Sequence, residues 1–206
     1  IVKTYPSEMG ITSINNGVQV LGGYGFCSEY IVQQYLRDIR ISAIYEGTTG
    51  IQSQDLLGRK VTMANGKALM LLSEEIKQSI GEAMAHESLA PYAKKLGAKL
   101  GLTEQVLQSL MGYAMQGDYQ RFLADATPFM EFFSTIVVAW QWLVIGTNAQ
   151  QALIIGSKDH SEDFYESKLH TMKFYFKYEL PKTQGLSEIL MDKEALTLNS
   201  DKKIFA

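Results

Sequence analysis

The amino-acid sequence predicts an all-α protein, a helical bundle, and three observations support this prediction. Apolar residues recur every three or four positions over most of the chain, which is the spacing of one face of an α-helix. Glycines and prolines interrupt this spacing at only a few points, where helices are expected to end. The one segment whose composition is typical of a β-strand, residues 174–178, lies inside a longer helical period.

The first 60 residues predict three helices separated by two glycine-rich segments. Residues 1–22 form the first helix, with apolar side chains at helical spacing, namely Met9, Ile11, Ile14, Val18 and Leu21. The glycine pair that follows is expected to end this helix, and residues 22–30 are expected to form a loop. A second helix is predicted over residues 31–43. After the glycines of the segment YEGTTG, a third helix is predicted over residues 51–60.

The following residues predict longer helices packed around one central helix. An amphipathic pattern covers residues 67–96, and Thr103 is expected to cap the helix after it. A seam of apolar side chains then steps alternately by four and three positions, as in a bundle: Phe122, Ala126, Phe129, Phe133, Ile136, Trp140 and Leu143. Trp140 is therefore predicted to be buried. Pro128 is expected either to kink this helix or to start a new one capped by Thr127.

The end of the chain predicts two more helices. Ser161 is expected to cap a helix that is closed by Pro181, and a short helix over residues 186–190 precedes a polar tail. An Asn-Gly turn dipeptide near residue 65 marks a change in character along the chain. We therefore predict two parts, residues 1–60 and residues 61–206.

Composition and charge exclude several classes of function. A net charge of −3 gives no electrostatic footprint for nucleic acid or for an anionic membrane. The longest apolar run, residues 136–146, contains Gln141 and is shorter than the ~20 residues that cross a bilayer, so no membrane span is expected. The single cysteine, Cys27, excludes an internal disulfide and is expected to be buried. The three histidines lack the spacing of metal ligands, so no metal site is predicted.

A second kind of pattern lies within residues 19–52, where glycines, charged side chains and threonines follow one another at particular spacings. Its members are Gln19, Gly22-Gly23-Tyr24-Gly25, Glu29, Arg37-Asp38, Arg40, Ile44-Tyr45-Glu46-Gly47-Thr48 and Ile51-Gln52. Taken singly, the glycines could be a helix end and Glu46 an acidic loop residue. The glycines are not a dinucleotide-binding fingerprint, because the third glycine is missing and a helix rather than a strand precedes them.

In this order and spacing, the pattern resembles the C-terminal signature of the flavin-dependent acyl-CoA dehydrogenases. The resemblance covers roughly residues 1–60. The remainder, with segments such as FLADATPFMEFF and KLHTMKFYFKYELP, is similar to the extra helical domain appended to longer members of that family, among them the methylthiopropionyl-CoA dehydrogenases. The chain is thus expected to be a C-terminal part of such an enzyme and inactive alone, because the family's N-terminal helical domain and β-domain supply most flavin and CoA contacts.

The resemblance implies a chemistry for the segment around Glu46. The family oxidises a saturated acyl-CoA thioester to the trans-2-enoyl-CoA in fatty acid metabolism, by removing an α-proton and transferring a β-hydride to FAD. Glu46 matches the position of the catalytic base. Its apolar neighbours Ile44 and Tyr45, together with a bound acyl chain, are expected to desolvate its carboxylate. Its backbone N–H matches the donor to the thioester oxygen, and Gly47 is expected to let the substrate approach closely.

Cofactor and partner contacts follow from the same resemblance. Thr48 and Gly50 are expected to lie against FAD, although the family often has a polar residue where Gly50 stands. Gln19, Gly22 and Gly23 are expected to contact the adenosine half of the FAD bound in a neighbouring subunit, which implies a homodimer or a tetramer. Electron-transfer flavoprotein is the expected electron acceptor, and the expected location is the bacterial cytoplasm or the mitochondrial matrix.

Two alternatives stay open at this point. An acyl-CoA oxidase would share the same base chemistry but pass the electrons of the flavin to O₂. A non-catalytic helical interaction module could retain the signature without activity, although the intact Gln19, Gly22, Gly23 and Glu46 argue against such decay. The length and identity of the acyl chain cannot be predicted from these residues.

Overall fold

Ten α-helices and three short helical turns make up most of the part of the chain that the computed structural model describes, residues 1–194 and 196–198. The α-helices are α1 (Thr4–Leu21), α2 (Gly23–Phe26), α3 (Val32–Arg40), α4 (Thr49–Asp55), α5 (Lys67–Met84), α6 (Ala90–Met115), α7 (Tyr119–Ala124), α8 (Ala126–Ile155), α9 (Glu162–Tyr178) and α10 (Thr183–Met191). Two 3₁₀ turns (Ile41–Ala43 and Leu180–Lys182) and one π-helical turn (Leu56–Lys60) complete the set. No strand occurs within these residues, and the all-α prediction is confirmed.

The end of α1 lies where the glycine pair predicted it. Gly22 has a φ of 58°, a conformation that favours glycine, and its N–H donates to the carbonyl oxygen of Gln19 over 3.1 Å. The prediction that residues 22–30 form only a loop is wrong, because α2 begins directly at Gly23. This turn can form because Gly25, which is buried, packs without a side chain against the backbone of α1.

The helix predicted over residues 51–60 begins two residues earlier, at Thr49. Thr48 is its cap, since the Thr48 hydroxyl accepts a hydrogen bond from the N–H of Ile51 over 3.4 Å. The last turn widens to π-helical geometry, in which the N–H of Val61 donates to the carbonyl oxygen of Leu56 over 3.0 Å.

The predicted seam lies in the core of the bundle and is confirmed. Helix α8 packs against α4, α5, α6, α9 and α10, and six of the seven seam residues are buried. The exception is Trp140, which is half-buried, so the prediction of full burial is wrong. Its indole Nε1 lies near the surface, where it donates to the hydroxyl oxygen of Ser79 over 2.8 Å. An indole N–H needs such a partner, and this keeps part of the ring at the edge of the core.

The predicted helix boundaries in the bundle differ from the structure in three places. The pattern over residues 67–96 is interrupted, because α6 starts at Ala90 with Pro91 in its first turn. Thr103 therefore lies inside α6 rather than at its cap, and its hydroxyl donates to the carbonyl oxygen of Lys99 over 2.9 Å. Pro128 lies in the first turn of α8, as the second alternative predicted, but the residue at the cap position is Asp125 instead of Thr127.

The cap predicted at Ser161 is confirmed, since its hydroxyl accepts from the N–H of Phe164 over 3.2 Å. Helix α10 is longer than the predicted residues 186–190, and the end of the predicted polar tail lies outside the described residues. Cys27 is exposed, which corrects the prediction that it is buried. It directly follows α2, and its Sγ donates to the carbonyl oxygen of Gly23 over 3.3 Å.

Helix α8 is longer than the apolar run of residues 136–146 that was considered in the sequence. At 30 residues it is long and apolar enough to cross a membrane by length and composition. However, 56% of its most apolar window is buried against other helices of the bundle. The central position of α8 in the core accounts for its apolar character.

The predicted division at residue 60 stays a prediction, and the structure shows close packing across it. Leu57 is fully buried and belongs to the same hydrophobic core as the residues of α8. The hydroxyl oxygens of Tyr5 on α1 and Tyr175 on α9 lie 2.8 Å apart.

Candidate functional site

The segment that carries Glu46 has an unusual backbone conformation. Glu46 has a φ of 56° and Gly47 a φ of 89°, so two consecutive residues occupy the left-handed region. This region is uncommon for a residue other than glycine and is often found at functional sites. A side chain at Gly47 would also collide with Gln52, whose Nε2 lies 2.7 Å from where a Cβ would stand. Glycine at position 47 is thus favoured by the backbone conformation, and any larger residue would also have to displace the Gln52 side chain.

Hydrogen bonds hold this backbone from both sides. Gln52 Nε2 donates to the carbonyl oxygen of Glu46 over 2.9 Å. Lys3 Nζ donates to the carbonyl oxygen of Gly47 over 2.6 Å, a short, charge-assisted bond. Immediately afterwards, Thr49 Oγ1 donates to the carboxylate of Glu8. The segment around Glu46 is therefore anchored to the start of α1 by two contacts and to α4 by one.

The Glu46 side chain itself is exposed. Within residues 1–194 and 196–198, neither its carboxylate nor its backbone N–H forms a hydrogen bond. Ile44 and Tyr45 are 48% and 54% exposed, so they do not desolvate the carboxylate within this chain, contrary to expectation. They instead provide exposed apolar surface beside the Glu46 carboxylate.

The second predicted group of site residues lies at the other end of α1. Gln19, Gly22 and Gly23 are all exposed, and no atom lies within 4 Å of where a Cβ would stand on either glycine. Because Lys3 contacts the Glu46 segment and Gln19 lies 16 residues further on, the two groups are about 24 Å apart along the helix. The structure does not bring them together within one chain.

The remaining predicted residues, Thr48 and Gly50, lie beside Glu46 at the start of α4. Both are exposed, and Gly50 has open space around its Cα. The Thr48 hydroxyl accepts the capping bond, which leaves its own O–H available as a donor. Exposed donors and glycines open to close approach suit a large polar cofactor, so these residues fit a group such as FAD.

Sequence reasoning missed Lys3 and Glu8 as residues that support the site. Their contacts with the Glu46 segment span 44 and 41 positions, and no local pattern reports contacts at that separation. Gln52 belongs to the motif within residues 19–52, but the spacing of that motif does not predict that Gln52 donates to the backbone of Glu46.

Comparison with known proteins gives two family matches that together cover most of the chain. A family model described as "Acyl-CoA dehydrogenase, C-terminal domain" matches residues 1–61. A second, described as "Acetyl-CoA dehydrogenase C-terminal like", matches residues 72–201.

Individual relatives agree with these matches. The chain is 33% identical to a 3-methylmercaptopropionyl-CoA dehydrogenase of Ruegeria pomeroyi over 85% of its length and 29% of that protein. It is 27% identical to a broad-specificity linear acyl-CoA dehydrogenase of Mycobacterium tuberculosis over 97% of its length and 34% of that protein. A butyryl-CoA dehydrogenase of Syntrophomonas wolfei is 29% identical over 92% of the chain and 31% of that protein. The chain thus spans about a third of the length of these relatives, and by both family matches it belongs to the acyl-CoA dehydrogenase family.

Proposed function

We propose that this chain is the C-terminal part of an FAD-dependent acyl-CoA dehydrogenase and that Glu46 is its catalytic base. The enzyme would oxidise a saturated acyl-CoA thioester to the trans-2-enoyl-CoA. The observation that carries the proposal is the left-handed backbone at Glu46, held through Gln52 and Lys3, which presents an exposed carboxylate without a partner among the described residues. The relatives named as dehydrogenases of linear acyl-CoA, butyryl-CoA and 3-methylmercaptopropionyl-CoA support the substrate class.

Glu46 would act on the substrate through two of its groups. Its carboxylate removes the α-proton, and its backbone N–H donates to the thioester carbonyl oxygen, where negative charge develops as that proton leaves. An acyl chain lying on Ile44 and Tyr45 would exclude water from the carboxylate and raise its proton affinity. Desolvation would therefore arise only when substrate and the rest of the enzyme cover this surface, in agreement with the exposure of both side chains here. Gly47 would allow the thioester to come close to the backbone.

The residues that would hold FAD lie in two groups. Thr48 and Gly50 would contact it beside Glu46, and Gln19, Gly22 and Gly23 would contact it at the end of α1. When bound, FAD supplies the acceptor for the β-hydride. The separation of about 24 Å between the two groups supports contacts with two different FAD molecules, one of them in a neighbouring subunit, and hence a homodimer or tetramer. Electron-transfer flavoprotein is the proposed electron acceptor, and the bacterial cytoplasm or the mitochondrial matrix the proposed location.

The test is the Glu46→Gln variant of the complete enzyme, with flavin reduction by acyl-CoA followed by absorbance. The substitution keeps the shape of the side chain and removes its basicity, so we expect FAD to stay bound while its reduction slows by at least about a hundredfold. Glu75→Gln, on the exposed face of α5, is the matched control and should reduce flavin at the normal rate. Reduction of the Glu46→Gln enzyme at the rate of this control would contradict the assignment of the base.

A further inference from the structure

The start of α1 contacts the Glu46 segment and the bundle at the same time. Lys3 and Glu8 bind Gly47 and Thr49, which follow Glu46 in the chain. Ser7 Oγ lies 3.3 Å from the carbonyl oxygen of Ser42, which precedes Glu46. These three residues occupy consecutive turns at the beginning of the chain. Lys3 and Glu8 thus link the start of α1 to the residues that follow Glu46, and Ser7 contacts a residue that precedes it.

Tyr5, which lies between these residues, binds the bundle through its hydroxyl group. The Tyr5 hydroxyl oxygen lies 2.8 Å from that of Tyr175, a residue of α9 that is only 7% exposed. The Tyr175 hydroxyl oxygen in turn lies 3.3 Å from the carbonyl oxygen of Thr135 on α8, which can only accept a hydrogen bond. The 2.8 Å contact joins two hydroxyl groups, and either of them can be the donor in it.

This chain of hydrogen bonds is maintained at neutral pH. Burial raises the pKa of Tyr5 and raises that of Tyr175 further, so both hydroxyl groups stay protonated and able to donate. The bond from Tyr5 to Tyr175 joins residues 170 positions apart and is shielded from water on the Tyr175 side. It thus connects the part of the chain that carries Glu46 to α8 and α9, which pack against each other.

We propose that Tyr175 is a positioning residue for Glu46, which acts by fixing the start of α1, through Tyr5, against α8 and α9. The inference rests on the proposed role of Glu46 as the base. In this proposal Tyr175, which lies after position 61, affects the reaction without touching the substrate. A base must be held close to its productive geometry, because a displacement of about 1 Å can slow a reaction by about a hundredfold.

The experiment compares Tyr175→Phe and Tyr5→Phe with Tyr178→Phe in the complete enzyme. Each substitution removes only a hydroxyl group. Tyr178 is the matched control because it lies on the same helix, is 51% exposed, and has a hydroxyl without a hydrogen-bond partner among the described residues. Amide hydrogen exchange of residues 42–49 and steady-state kinetics are measured for each variant.

We expect exchange in residues 42–49 to rise at least about threefold in Tyr175→Phe and Tyr5→Phe, with kcat about tenfold lower and KM unchanged. The double variant should be no slower than either single one, since both substitutions break the same bond. Tyr178→Phe should match the unmodified enzyme.

The proposal is overturned if Tyr175→Phe leaves either the exchange of residues 42–49 or kcat at the level of Tyr178→Phe. It is also overturned if faster exchange is confined to α8 and α9. Failure of the proposed function is seen separately, as normal flavin reduction in Glu46→Gln, and the exchange measurement still decides whether Tyr175 holds the Glu46 segment.

Discussion

A Cβ atom on Gly25 would stand 2.5 Å from the carbonyl oxygen of Val18 and 2.9 Å from its Cα atom. The short helix α2 is therefore packed directly on the backbone of α1, at the end of the helix that carries Gln19, Gly22 and Gly23. Backbone atoms cannot rotate away as a side chain can. Glycine is required at this position by space.

Replacing Gly25 by alanine should thus destabilise the chain. We expect Gly25→Ala to lower the free energy of unfolding by about 1–3 kcal/mol through overpacking. Gly23→Ala is the control, because open space surrounds that residue, and it should change the free energy by no more than about 0.5 kcal/mol. Urea unfolding of the 206-residue chain measures both, and equal midpoints for the two variants would refute the prediction.

Gly47 and Gly50 offer a second matched pair on the two sides of Thr48. Gly47→Ala must place a Cβ at a φ of 89° and against Gln52 Nε2, so we expect a loss of about 1–2 kcal/mol in the free energy of unfolding. Gly50 lies in α4 with open space beside it. Because alanine favours the helix more than glycine does, Gly50→Ala should be neutral or should stabilise the chain by up to about 1 kcal/mol. Thermal unfolding distinguishes them, and a Gly47→Ala variant as stable as Gly50→Ala would show that the conformation of this segment is different.

The hydrogen bond from Trp140 Nε1 to Ser79 Oγ should stabilise the contact between α8 and α5. We expect Ser79→Ala to cost about 1–2 kcal/mol, because it leaves a half-buried indole N–H without its partner. In combination with Trp140→Phe the two losses should not add, with a coupling energy of about 1 kcal/mol. Ser73→Ala, on the same helix, should couple to Trp140→Phe by less than about 0.3 kcal/mol. Additive losses for Ser79→Ala and Trp140→Phe would mean that the bond contributes nothing.

The buried tyrosine pair predicts a loss of stability in alkali. Burial raises the folded-state pKa of Tyr5 and Tyr175 above the ordinary value of 10.0. The stabilisation is therefore complete below pH 10 and is lost as the pH rises above that value, where the unfolded chain ionises first. Burial lowers the pKa of Lys99, which acts in the opposite direction, so variants have to be compared with one another.

We expect Tyr175→Phe to be less stable than Tyr178→Phe at neutral pH, by about 1 kcal/mol for the lost hydrogen bond. Between about pH 9 and 11 its free energy of unfolding should fall less steeply, because the variant lacks a tyrosine that ionises in the unfolded chain while it stays protonated in the folded one. Guanidinium unfolding at several pH values measures this slope. Parallel curves for the two variants would contradict the prediction.

The helices of this protein were largely predictable from the sequence because helical periodicity and capping act over a few residues. The seam from Phe122 to Leu143 and the cap at Ser161 needed no knowledge of distant segments. Thr103 was assigned wrongly by the same reasoning, since a threonine can also bond the preceding turn inside a helix, and Pro91 marks the actual start of α6. The position of Glu46 in a family motif was likewise visible in the sequence.

Only the tertiary structure decided how that motif is held. The bond from Lys3 to Gly47 joins residues 44 positions apart, and the bond from Tyr5 to Tyr175 joins residues 170 positions apart. Such pairs follow from the way distant segments pack in the folded chain, and their energies depend on burial and on geometry that no local spacing encodes. The half-burial of Trp140 has the same origin. Its place on the seam was set by helical period, whereas its exposure depends on where Ser79 of another helix meets the indole N–H.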